Sequence, residues 1–202
     1  MHDYGYPDAS PRWQDDYVWA PVRRELAALP SGARVIELGC GNGVAASRMH
    51  ALGLQVTAVE PSPSGIAAAR AAFTGPRFEL GSADERLAER LGTFDAVVSI
   101  EVIEHCLLAQ RFARCCFELL EPGGLLVLTT PYHGYVKNLA LAVTGKLDAH
   151  FEATRDGGHI KFFSTATITQ LLTDAGFTGI RVARVGRIAP LAKSMIVTAR
   201  KP

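Results

Sequence analysis

The chain has 202 residues, 48% of them apolar and 20% charged, with a formal net charge of +1. That length suits a single domain with a full-sized core. The near-neutral balance excludes a basic field for nucleic acid or a lipid surface, and no stretch approaches the roughly 20 apolar residues of a membrane span. The four cysteines, Cys40, Cys106, Cys115 and Cys116, lack paired C-x-x-C spacing and read as small buried side chains. Residues 1–6 are polar and aromatic, without the apolar run of a secretory signal. The expectation is a reduced, cytoplasmic protein.

Apolar runs alternate with amphipathic stretches along the chain, the pattern of a doubly wound α/β sheet. A helix is expected over 15–29, ending at Pro30-Ser-Gly32. The first strand, 34–38, runs into a loop with glycines at alternate positions, Gly39, Gly41 and Gly43. A helix follows over 44–52, then a strand over 55–60 ending in Glu60. Ser62 caps the next helix, with Pro63 in its first turn. Strands follow at 77–80 and 94–100, the latter apolar enough to be buried on both faces. Leu108, Phe112, Cys115, Cys116 and Leu119 recur at helical spacing. Pro122-Gly-Gly124 stops that helix, and 125–130 is the fifth strand. Val136, Leu139, Ala140, Val143 and Leu147 share one face of a further helix. Ser164 caps a helix that buries Ile168, Leu171, Leu172 and Ala175 and closes at Gly176. Two final strands lie near 180–185 and 194–200.

The glycine loop carries the first functional signal. Glycine lacks a Cβ and tolerates positive φ, so a ligand can lie against the backbone. The helix behind it offers free N–H groups to that ligand. The spacing is G-x-G-x-G, not the dinucleotide G-x-G-x-x-G, and the Gly-Lys-Ser/Thr ending of a phosphate-binding P-loop is missing. Glu60 lies at the carboxyl end of a strand, where doubly wound folds bind ligands and where an acid can accept both ribose hydroxyls.

Glu37-x-Gly39-x-Gly41-x-Gly43 resembles motif I of the class I S-adenosylmethionine-dependent methyltransferases. The order of elements is similar too, including a helix–strand–strand ending in which the last strand inserts antiparallel. The resemblance implies a seven-stranded, mostly parallel sheet over roughly residues 30–200. It also implies S-adenosylmethionine as cofactor and S-adenosylhomocysteine as product. Carried over by position, Glu37, Gly39, Cys40, Gly41 and Asn42 would hold the methionine and ribose part. Glu60 would take the ribose hydroxyls, and Pro61 would pack on the adenine. Many relatives place an aspartate directly after the glycine corresponding to Gly81. Here Ser82 stands there, so Ser82 with the Ala83 backbone, or Asp84, would meet the adenine amino group.

Glu101-Val-Ile-Glu104-His105 resembles a segment of the ubiquinone-biosynthesis O-methyltransferases within that family, and Gly158-His159-Ile-Lys161 is similar to another. The implied activity is methyl transfer to a small molecule, with oxygen the preferred acceptor atom. His105 is then the leading candidate for catalytic base, with His159 second, while Glu101 is placed to contact the cofactor. Tyr132, His133 and His159 are candidate substrate contacts. No metal is the favoured reading. The alternative gathers Glu101, Glu104 and His105 around a divalent ion on one turn. Two other readings stay open: an NAD-dependent oxidoreductase with an atypical loop, and a non-catalytic cofactor-binding module.

The domain expectation is one methyltransferase domain over 1–202. Residues 1–29, with Tyr4, Tyr6, Trp13, Tyr17 and Trp19, form an N-terminal flap. Residues 132–163 form an insertion over the acceptor site. The apolar face within 135–147 suits core, a lid or, least well with Lys137 and Lys146 as its cations, a membrane-surface contact. A small-molecule acceptor is the expected partner. The sequence sets neither the acceptor nor an oligomeric state.

Overall fold

The computed structural model describes residues 5–11, 15–83, 86–151 and 153–202. Tyr4, Trp13 and Asp84 lie outside the described residues. Seven strands form one sheet: β1 (Arg34–Leu38), β2 (Gln55–Glu60), β3 (Arg77–Leu80), β4 (Phe94–Ile100), β5 (Leu120–Pro131), β6 (Thr178–Val185) and β7 (Ser194–Arg200). Their order is β3-β2-β1-β4-β5-β7-β6. The pairs among β1 to β5 are parallel, and β7 runs antiparallel to both neighbours. This is the class I methyltransferase arrangement. Strand order reverses between β1 and β4, so the connections leaving their carboxyl ends turn to opposite faces of the sheet and leave a crevice between them.

Alternation along the strands builds two cores, because successive side chains point to opposite faces. Val35, Val56, Ala58, Ala96, Val98 and Val127 pack with Val18, Val22 and Leu26 of α1 (Asp15–Leu26), Met49 of α2 (Val44–His50) and Ile66 of α3 (Pro63–Ala72). Ile36, Leu38, Val97, Leu126 and Leu128 face the other way. They meet Leu87 of α4 (Leu87–Leu91), Phe112 and Cys116 of α5 (Ala109–Glu118), and Ile168 and Leu172 of α8 (Thr165–Asp174). Burying each large apolar side chain contributes roughly 1.5–3 kcal/mol. Ser62 caps α3 by accepting the Gly65 N–H at 3.3 Å. Ser164 caps α8 with a reciprocal Thr167 bond, as in a capping box.

Several elements differ from the sequence expectation. The first helix stops at Leu26 instead of 29, because the residue before Pro30 disfavours helix. Strand β5 begins at Leu120, five residues early. Its partner register jumps from Phe94↔Leu120 to Ala96↔Leu125, so Glu121–Gly124 bulge outward within the strand instead of preceding it. Helix α4, with Leu87 as its buried residue, was not anticipated. The stretch after β5 forms two helices, α6 (Tyr135–Val143) and α7 (Leu147–Phe151), and neither buries a residue fully.

Candidate functional site

The glycine loop leaves β1 with Gly39, Gly41 and Gly43 at φ 76°, 53° and 84°. All three lie in the left-handed region that side-chain-bearing residues avoid. Gly43 is also a close approach: a Cβ there would stand 2.7 Å from the Ala69 methyl of α3. The N–H groups of Gly39 and Cys40 donate to the Val59 carbonyl at 2.8 and 3.1 Å, fastening the loop to the end of β2. Glu60 is buried there. Its carboxylate accepts the Gly41 N–H at 2.8 Å and the Ser62 N–H at 3.0 Å. Glu37 is buried behind the loop. Burial, and then the Glu37 and Glu60 carboxylates, hold the Cys40 thiol well above its ordinary pKa, so it stays neutral and unreactive.

Pro61, Ser82 and Ala83 line a cavity of about 70 Å³ with Gly39, Val102 and Phe112. A larger cleft, about 360 Å³, lies by the opposite ends of the strands and is lined by Arg34, His50, Gln55 and Arg77. None of the candidate residues borders it. Asn42 is buried beside residues 5–11. Its amide donates to the carbonyls of Asp8 and Ser10, each at 3.0 Å.

The segment after β4 is shaped by Glu101, which sits at φ 55° and is the one non-glycine residue at positive φ among the described residues. Such a conformation costs of order 1–3 kcal/mol and persists only where surroundings fix it. Here the Glu101 N–H donates to Thr129 at 3.1–3.2 Å, and its carboxylate accepts the Ser194 hydroxyl at 3.2 Å. Ser194 in turn lies 3.2 Å from the Tyr17 hydroxyl of α1. Burial pushes the Glu101 carboxyl up to about 7, against the pull of Thr129, Ser194 and Lys137. Glu104 is 1% exposed and accepts the Thr130 hydroxyl at 3.0 Å. Burial, then the Glu101 charge, drives its pKa well up. Two like charges in one dry pocket resist joint ionisation, so the pair retains a proton near neutrality.

A 3-10 turn, Ile103–His105, carries the histidine. His105 Nδ1 lies 2.8 Å from the Gly157 carbonyl and 3.2 Å from that of Gly158. A carbonyl only accepts, so Nδ1 bears the proton and Nε2 keeps the lone pair in the neutral ring. The Glu104 carbonyl accepts the Ile160 and Lys161 N–H groups at 2.9 and 3.0 Å, holding residues 157–161 against the turn. His159 therefore meets His105 edge-on, with ring centroids 4.8 Å apart. Ligand atoms of Glu104, His105 and His159 fall within 4.8 Å of one another. That spacing suits a divalent ion with mixed oxygen and nitrogen donors. Glu101 is not in this group, and His159 stands where the sequence alternative had Glu101. The signal for this grouping was present only as the Gly-x-His segment 54 residues downstream.

His133 and Tyr132 follow β5 but separate. Tyr132 packs into the core with the Arg184 guanidinium 4.9 Å over its ring. His133 is buried among His150, Phe151 and Phe162, with centroids 5.0–6.0 Å away. Burial, then Lys137 and His150, pushes its pKa down to about 4, so the ring is neutral at pH 7. Lys137 on α6 donates to the carbonyls of Tyr132 and Lys193 at 2.8 and 3.2 Å, and burial lowers it to about 8. Lys137 thus faces inward while Tyr135, Val136, Leu139 and Val143 are exposed. The apolar face of α6 points away from the protein, which removes the core reading.

Comparison with known proteins agrees with this geometry. A methyltransferase-domain family model matches residues 12–182. A ubiquinone biosynthesis O-methyltransferase of Xanthomonas axonopodis pv. citri is 38% identical over 132 residues, 62% of this chain and 55% of that protein. One from Caulobacter sp. (strain K31) is 39% identical over 118 residues, 56% and 46% of the two chains. The matched region thus spans about half the length of these relatives. Among solved structures, a Mesorhizobium loti S-adenosylmethionine-dependent methyltransferase aligns with TM-score 0.69 and 24% identity, over 90% of this chain and 96% of that one. The Synechocystis magnesium protoporphyrin IX methyltransferase with bound S-adenosylhomocysteine aligns with TM-score 0.69 and 20% identity, over 91% and 81%. The chain belongs to the methyltransferase-domain family, the S-adenosylmethionine-dependent class that its glycine loop resembled.

Proposed function

We propose that this protein methylates an oxygen atom of a small molecule. The observation that carries the reading is convergence at one sheet edge. The glycine loop and Glu60 lie beside β1 and β2, and the Glu104–His105–His159 group lies beyond β4. The names of the relatives, ubiquinone biosynthesis O-methyltransferases, support oxygen as the acceptor atom and a small molecule as its bearer.

The residues fit S-adenosylmethionine. The loop turns on three glycines at positive φ, with no Cβ to screen its backbone, Glu60 is a buried acid at the strand end, and the 70 Å³ cavity is apolar enough for an adenine edge. Glu37, Gly39, Cys40 and Gly41 are assigned to the methionine and ribose side. A carboxylate accepts at about four lone-pair positions, so Glu60 can serve the loop backbone and ribose hydroxyls together. Pro61, Ser82 and Ala83 are assigned to the adenine. Bound there, the cofactor supplies an already activated sulfonium methyl. The chain's own task is alignment in a water-poor space.

An acceptor hydroxyl must lose its proton as the methyl arrives. His105 Nε2 is the acceptor for it, because Nδ1 is held in the protonated tautomer by Gly157. The proton shared by the buried Glu101 and Glu104 carboxyls leaves one negative charge near the ring, which favours the imidazolium that results. His159 orients the acceptor from the opposite side of the ring, or completes a cation site with Glu104 and His105. His133 contributes a neutral aromatic wall rather than a base. Residues 132–163 cover the acceptor, and α6 with its outward apolar face is the mobile part of that cover.

The test is methyl transfer from labelled cofactor to a panel of hydroxyl-bearing acceptors, before and after chelation. His105→Ala is expected to lower kcat by about 10²–10⁴-fold, the size of a lost general base. Loss of turnover on chelation, with recovery on adding magnesium or zinc, would move His105 from base to metal ligand. Full activity in His105→Ala would remove it from the chemistry.

A further inference from the structure

Residues 5–11 run across the glycine loop. The Tyr6 N–H donates to Ser64 Oγ at 3.0 Å, which ties the segment to the first turn of α3. The Asn42 amide ties it to the entrance of α2, through the Asp8 and Ser10 carbonyls. Asp8 folds the segment on itself by accepting the Ser10 N–H at 2.8 Å, an Asx turn.

The Tyr6 ring lies against two glycines. A Cβ on Gly41 would sit 2.9 Å from the Tyr6 hydroxyl oxygen and 3.2 Å from the ring. A Cβ on Gly65 would sit 3.1 Å from the ring, 2.8 Å from the Gly41 carbonyl oxygen and 3.2 Å from Glu60 Cγ. The missing side chains therefore leave a slot that the tyrosine fills. Gly41 is the residue whose N–H is held by Glu60. The tyrosine thus borders the groups assigned to the ribose. Most of residues 5–11 are exposed, so few apolar contacts oppose lifting the segment, and it belongs to the low-stability part of the fold.

We propose that residues 5–11 form a strap that closes over the ribose end of bound S-adenosylmethionine, with Tyr6 a cofactor-contact residue and Asn42 its latch. The strap lifts to admit the cofactor and resettles on it, so its contacts act on the departure of the ligand more than on its arrival. This changes the role of Asn42. It was expected to touch the cofactor, and here it acts through the segment that covers it. The proposal rests on the reading of Gly41 and Glu60 as cofactor groups.

The experiment is stopped-flow binding and release of S-adenosylhomocysteine by the full chain. Tyr6→Ala and Asn42→Ala are each expected to release it about tenfold faster, equivalent to about 1.4 kcal/mol, with association no slower. Because both act through one strap, Asn42→Ala in the Tyr6→Ala background adds little. In the unaltered protein, amide exchange over 6–10 slows when S-adenosylhomocysteine is added. Release from Tyr6→Ala at the unaltered rate, or exchange over 6–10 indifferent to ligand, overturns the strap. Glu60→Gln separates the two readings. If it weakens binding while Tyr6→Ala does not, the strap alone fails. If Glu60→Gln binds as tightly as the parent, the cofactor site itself is misassigned and the strap falls with it.

Discussion

Replacing Glu60 by alanine removes the acceptor for two backbone donors at once. The Ser62 N–H belongs to a fully buried residue, and that of Gly41 to a half-buried one. A buried donor left without a partner costs about 1–3 kcal/mol, and a partly hydrated one nearer the ~0.5–1.5 kcal/mol net worth of a typical bond. The sum is a loss of about 2–4 kcal/mol of stability before any ligand is considered. For a chain of this size, 1 kcal/mol moves Tm by roughly 2–4 °C. Glu60→Ala should therefore melt roughly 5–15 °C lower. Glu60→Gln keeps one carbonyl oxygen but sets an NH₂ against the second donor, so about half the loss is expected. Thermal unfolding of the free protein, followed by circular dichroism, reads this directly. If both variants melt within a degree of the parent, the two bonds do not hold the loop. The reasoning about how Glu60 shapes the cradle would then be wrong.

His133 should leave a mark on acid stability. Its pKa is near 4 in the folded chain and about 6.5 unfolded. Between those values the unfolded state takes up the extra proton, so stability is full above about pH 6.5 and falls as pH drops toward 4. Glu101, raised to about 7, tilts the same window the other way, so the comparison must be with His133→Leu. That variant should lose less stability on acidification, by up to about 1.4 kcal/mol per pH unit; identical slopes in urea titrations would rule the effect out. For α6, hydrogen exchange over 135–151 should be fast in the free protein and slowed with S-adenosylhomocysteine and an acceptor present. Slow exchange without ligands would show that the segment is already closed.

Most of the sheet was legible because its signals are local. Val35–Leu38 and Ala96–Val98 are short apolar runs with turn residues after them, and Ser62-Pro63 announces a helix start in two letters. The strands β1, β2 and β3 needed nothing from elsewhere in the chain. The misses depended on partners distant in sequence. Strand β5 extends back through Pro122-Gly123 because Phe94 pairs with Leu120 and because Gly123 and Gly124 bond to Lys201. No local rule contains that partner. Helical spacing showed that α6 has an apolar face, but spacing is silent on which way a face turns. Lys137, whose carbonyl partners lie at Tyr132 and Lys193, fixes the helix with that face outward. At the site, the loop and its acid were readable as a motif. The meeting of His105 with His159, and of Asn42 with Asp8, required the fold.

The placement of β7 between β5 and β6 bears on how the molecule is made. Among the described residues strand β6 pairs with β7 alone, so it has no place in the sheet until residues 194–200 have left the ribosome. Until then β5 exposes its free edge, a template for other chains. Ser194 is the first residue of that late strand, and it supplies the bond to Glu101 and the link to Tyr17. The left-handed turn at Glu101 thus gains one of its supports only when the nascent chain inserts its last strand. Synthesis therefore completes the acceptor side of the site after the glycine loop, and a stalled or truncated chain would carry the cradle without the finished pocket.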